Sequence, residues 1–81
     1  MSNKVACIQY TGDWANQTTI LSLRGGRLGH GRTFAQEPLL RPYSEAERIR
    51  VVYAFMIVAA QNGYVGIWDD YDNRFIDVWE D

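Results

Sequence analysis

The side chains of this 81-residue chain that could do chemistry are few. His30 is the only histidine and Cys7 the only cysteine. A triad, a histidine-based metal site or a general base would need an orienting partner for His30. The glycine-rich segment around it offers none, so His30 reads as a solvated loop residue. Cys7 sits among apolar neighbours and reads as a small buried hydrophobe rather than a nucleophile. A single cysteine also excludes a disulfide framework and any multi-thiolate metal site. Asp69, Asp70 and Asp72 carry part of a calcium-loop pattern, but the glycine and glutamate that complete such a loop are missing. No catalytic set, metal or cofactor is expected.

The segment Arg24-Gly25-Gly26-Arg27-Leu28-Gly29-His30-Gly31-Arg32 has more content. Its glycines free backbone amides to approach a phosphate, and Arg24, Arg27 and Arg32 could neutralise one. The glycine spacing matches neither the Walker pattern nor the dinucleotide fingerprint. Three readings stay open: a plain hairpin turn, a contact with an acidic protein groove, or a contact with nucleic acid.

Charge is segregated. Residues 1–62 hold seven basic and four acidic side chains, whereas residues 63–81 hold six acids and only Arg74. The C-terminal acids are Asp69, Asp70, Asp72, Asp77, Glu80 and Asp81, and they define an electrostatically distinct end. A solubilising tail or a surface for a basic partner would both account for them. The composition, 47% hydrophobic and 22% charged, excludes a disordered chain. The length predicts a single domain, residues 1–81, with a marginal core. No apolar run approaches the ~18–20 residues of a membrane span, and the start lacks a signal-peptide core. A cytoplasmic location without membrane contact is the expectation.

These residues must be positioned by a small set of elements. Lys4–Tyr10 reads as a strand ending at the turn signal Thr11-Gly12-Asp13. In Thr18–Arg24, Thr19, Leu21 and Leu23 alternate with polar or outward positions, giving a strand with one face inward. Gly25-Gly26 suggests a hairpin tip, with Arg27–Ala35 returning as a weak strand. Gln36–Tyr43, holding Pro38 and Pro42, reads as an extended connector. Ser44-Glu45-Ala46-Glu47 is a capping box, and Gly63 supplies a left-handed stop, so a helix is predicted over about Glu45–Asn62. Tyr64–Trp68 and Arg74–Trp79 flank an acidic loop as an antiparallel hairpin. The order β-β-(β)-α-β-β predicts an α+β fold: one antiparallel sheet of four to five strands with a helix across one face.

Two surfaces exceed what such a core needs. On the helix, Ile49, Val52, Tyr53, Met56 and Ala60 should face the sheet. Val51, Phe55 and Val58 then form an opposite stripe, either covered by the Leu39-Leu40 connector or open to a homodimer or partner. On the hairpin, alternation groups Val65 and Ile67 with Ile76 and Val78. It places Tyr64, Trp68, Phe75 and Trp79 on the other face beside Asp77. An aromatic face rimmed by acids suits a protein interface, although parity alone leaves open which face is core.

Small size, surplus apolar surface and a concentrated acidic hairpin favour a non-enzymatic protein-binding inhibitor. In size, topology and charge layout the chain resembles small phage-encoded inhibitors of bacterial defence, of the anti-CRISPR type. The resemblance implies blocking of a larger nucleic-acid-handling protein or ribonucleoprotein complex, by steric occlusion or by acids standing in for phosphates. The alternative is a small nucleic-acid-binding regulator using the Arg/Gly-rich loop 24–32. The acidic hairpin and a pI near 5.2 weigh against it.

Overall fold

The computed structural model describes residues 4–79. Glu80 and Asp81, two of the C-terminal acids, lie outside the described residues. The elements are β1 (Val5–Asp13), β2 (Thr18–Gly25), β3 (Thr33–Leu40), α1 (Glu45–Gln61), β4 (Gly66–Asp69) and β5 (Arg74–Val78). They form an α+β fold with one five-stranded sheet in the order β3-β2-β1-β4-β5.

The sheet is mixed rather than wholly antiparallel. β1 and β4 run parallel, with Ala6 opposite Ile67 and Ile8 opposite Asp69; the other three pairings are antiparallel. The cause is the helical crossover. After β3 the chain stands at one sheet edge, and α1 carries it across the face to the far side of β1. Local sequence patterns specify hairpins but carry no signal for this distant pairing.

The third strand also differs from expectation. The return strand is Thr33–Leu40 rather than Arg27–Ala35, and most of the expected connector is therefore strand. Pro38 is tolerated because β3 is an edge strand, where a missing N–H need not interrupt a ladder. Residues 26–32 form the connecting loop.

The helix forms as its caps dictate. The Ser44 Oγ accepts from the Glu47 N–H at 3.1 Å, while the Glu47 carboxylate accepts from the Ser44 N–H at 3.4 Å. Gly63, at φ +83°, takes the left-handed conformation just past the helix end. The buried face of α1 is Val51, Val52, Phe55 and Ala59. These pack on Ala6, Ile8, Leu21, Leu23, Leu39 and Ile67 of the sheet.

The helix phase keeps part of the stripe assignment, since Val52 is in the core and Met56 packs against it, and overturns the rest. Val51 and Phe55 belong to the core and Val58 packs against it, so they are not an open dimer or partner stripe. Ile49 and Tyr53 instead face outward, at 38% and 62% exposed, with Ile57 at 62%. Ten consecutive apolar residues give periodicity in almost any phase. Arg48 lies on the same helix face as Val52 and Phe55, four and seven residues on, and reaches Tyr10 and Asp69 beneath the helix.

Candidate interaction surface

Arg48, in the first turns of α1, points down to the start of the acidic loop. Its Nη1 donates to the Tyr10 hydroxyl at 3.0 Å and approaches Asp69 Oδ2 at 3.5 Å. Its Nε donates to Glu45 Oε1 at 3.0 Å, and Nη2 contacts the same oxygen. Asp69 is only 1% exposed. Its Oδ1 accepts from the backbone N–H groups of Tyr71 at 2.9 Å and Asp72 at 3.4 Å, an Asx-type turn that folds the loop. The Arg48 bond holds the Glu45 carboxyl below its usual range and, with Tyr10, pushes the guanidinium up. Burial pushes Tyr10 up to about 12, against the hydrogen bond from Arg48.

This network corrects one acid assignment. Asp69 organises the loop from within and is not a surface group. Asp70, Asp72 and Asp77 are exposed; Asp72 lies 3.8 Å from Arg74, a solvated pair of small energetic weight.

The aromatic face divides in the same way. Trp68 and Phe75 meet edge-to-face, with ring centroids 4.9 Å apart. Tyr64 enters the core against Phe34, and Trp79 packs beside it, its indole N–H donating to the Tyr64 carbonyl at 3.1 Å. A bulge opposite Ile67 and Trp68 breaks the alternation. Ile67 consequently faces Asp77, and Val78 faces Gly66 and is exposed.

The arginine loop folds onto the back of the sheet. Arg24 donates from Nε and Nη2 to the Gly31 carbonyl at 3.1 and 3.0 Å, closing the loop from inside. Arg27 stacks 4.1 Å over Trp68 and Arg32 4.7 Å over Phe34. Gly29, at φ +69°, lies so close to the Gln9 amide that a Cβ there would clash. Cys7, between Arg24 and Trp68 in the sheet, is fully buried. Burial, with help from Asp70 and Asp69, pushes its thiol up to about 11, which removes thiolate chemistry at neutral pH. His30 is exposed in the loop.

A further open feature lies on the helix side. A cavity of about 330 Å³ runs between α1 and the edge strand β5, where apolar Ile49, Val52, Tyr53, Met56 and Ile76 meet charged Glu45, Arg48, Arg74 and Asp77. Ile49 and Tyr53, one turn apart, line it with Phe75, and Ile57 continues the exposed helix stripe one turn further on. Sequence reasoning missed this stripe because it assigned Ile49 and Tyr53 to the core. It also missed Arg48, which stands among Glu45, Glu47 and Arg50 with nothing in the sequence to mark it out.

Among the described residues no three His, Cys, Asp or Glu side chains converge as a metal site, and no helix is long and apolar enough to cross a membrane. No protein-family model, curated protein or solved structure matches this chain.

Proposed function

We propose that the protein is a non-enzymatic, cytoplasmic protein-binding inhibitor that blocks a larger nucleic-acid-handling complex, an anti-CRISPR-like role. One observation carries this reading. An exposed apolar stripe, Ile49, Tyr53 and Ile57, runs along α1, and its first two members line a groove whose other wall is the edge strand β5, with Phe75 and Asp77. Exposed apolar and aromatic anchors beside a polar rim are the make-up of protein-binding hot spots. Asp70, Asp72 and Asp77, at the same end, would steer a basic partner and fix its orientation. Steric occlusion fits better than phosphate mimicry, because Asp69 is committed to Arg48 and the remaining acids flank an apolar centre. The arginine loop supports the nucleic-acid alternative less, since Arg24 is turned onto Gly31 and Arg27 onto Trp68.

The test is affinity capture from the lysate of the encoding organism, with and without nuclease, followed by salt titration of the recovered complex. Recovery of one nuclease-resistant protein complex is expected. Asp70→Asn with Asp72→Asn should weaken that complex and flatten its salt dependence. Recovery that collapses on nuclease treatment would favour the nucleic-acid reading.

A further inference from the structure

A second feature lies apart from the α1–β5 groove, at the tip of the β1–β2 hairpin. The Arg41 N–H donates to the Gln17 carbonyl at 2.8 Å, which fixes Arg41 just past the end of β3. Its guanidinium stacks 3.9 Å from the ring of Trp14. Its Nε and Nη2 atoms are out of contact with water and have no hydrogen-bond partner.

These two nitrogens form the side-on fork of a guanidinium, the edge that takes a carboxylate through two parallel bonds. The other two half-buried arginines both use this edge. Arg24 places it on the Gly31 carbonyl and Arg48 on the Glu45 carboxylate. Arg41 leaves it empty, although buried donors without an acceptor are costly. The nearby acid does not fill the gap: Asp13 feels the charge of Arg41, but its carboxylate is engaged by Asn16 at 2.8 Å. Surface cavities adjoin the group on two sides. One of about 430 Å³ is lined by Trp14, Gln17, Arg41 and Pro42, and one of about 330 Å³ includes Thr19 and Tyr43.

We infer that the Arg41 fork is a binding site for a carboxylate, with Trp14 and Pro42 giving apolar contact to the group that carries it. The inference is independent of the function proposed above. The fork is shielded, so a carboxylate reaches it only through a local rearrangement, for which Trp14, 80% exposed at the hairpin tip, has room. The carboxylate belongs either to a free aromatic acid or to a glutamate side chain of a peptide.

Titration followed by NMR separates these sources. The Arg41 Nε–H and Trp14 indole N–H signals are recorded against sodium benzoate, a blocked glutamate peptide, and sodium chloride at matched ionic strength. Both signals should move together and saturate with a Kd on the order of 10 mM for the better ligand. Tighter benzoate binding assigns a free acid, and tighter peptide binding assigns a protein side chain. Arg41→Lys keeps the charge without the fork and should weaken binding at least about tenfold. Arg41→Gln should abolish it, with the remaining amide spectrum showing an intact fold. Unmoved signals up to about 100 mM carboxylate, a response equal to that of chloride, or undiminished binding by Arg41→Lys would overturn the inference.

Discussion

Replacing Asp69 by Ala should be among the most destabilising single changes in the protein, although it lies in a run of acids that looks like solvated surface. The carboxylate accepts from two backbone N–H groups and from Tyr10, and it balances Arg48, whose side chain is 17% exposed. Breaking a buried ion pair by removing one partner costs about 3–5 kcal/mol. Glu45 still holds Arg48, which places the pair's loss at the low end, and the Tyr71 N–H left without an acceptor adds about 1 kcal/mol. A loss of about 3–4 kcal/mol follows. At about 0.05–0.15 kcal/mol per residue the whole domain has only about 4–12 kcal/mol, so the variant retains a fraction of its stability or unfolds. Equilibrium urea unfolding followed by tryptophan fluorescence measures the effect. With a slope of about 1 kcal/mol per molar, the midpoint should fall by about 3 M. Asp69→Asn keeps an acceptor for the turn and should lose about half as much. Asp70→Asn, one residue away and exposed, should stay within about 0.5 kcal/mol of the parent. Equal midpoints for Asp69→Ala and Asp70→Asn would refute the assignment of Asp69 to the interior.

Three further outcomes follow from the same packing. Phe55→Ala should cost about 3–5 kcal/mol in urea unfolding while Tyr53→Ala changes stability by under about 0.5 kcal/mol, the reverse of what the expected helix stripes would give. In the loop, a Cβ at Gly31 would lie 2.8–3.0 Å from the Gly25 backbone, whereas Gly26, at φ +82°, faces open space. Gly31→Ala should therefore destabilise by about 1–3 kcal/mol and speed Cys7 labelling by thiol reagents, with Gly26→Ala costing about 1 kcal/mol and leaving labelling slow. Stability should also fall as pH rises from about 9 to about 12. Cys7 and Tyr10 are raised from 9.0 and 10.0 to about 11 and about 12, so over this window the unfolded chain releases protons that the folded chain keeps. Urea midpoints across the window measure the fall, and Cys7→Ala should remove it between about pH 9 and 10 while leaving the Tyr10 contribution above about pH 10.

The legible parts of the fold were those written in short-range chemistry. The Ser44–Glu47 capping box, the Gly63 stop and the alternation of Thr19, Leu21 and Leu23 each state a local geometry that the tertiary structure keeps. The parallel β1–β4 pair was not legible, because nothing near Val5 or Gly66 encodes which distant strand each will meet. The phase of α1 failed for another reason. Its run Val51–Ala60 is apolar on nearly every side, so periodicity within the run does not single out the face that is buried. The β4–β5 hairpin was found, but a bulge moved Asp77 opposite Ile67 and sent Tyr64 and Trp79 inward, and bulges leave little trace in alternation patterns. For the candidate surface, the acids Asp70, Asp72 and Asp77 were read correctly as exposed. The apolar centre beside them was assigned to the wrong side of the helix.

The most direct test of the proposed role compares two surface variants in one capture experiment. Tyr53→Asp with Ile57→Asp places charge on the outer face of α1, where both side chains are largely exposed and the fold should be retained. Arg27→Ala with Arg32→Ala removes the exposed cations of the loop. The account predicts that the protein complex recovered by the parent, with nuclease present, is lost by the helix variant and kept by the loop variant. Equal recovery by the helix variant, or loss only with the loop variant, would contradict it.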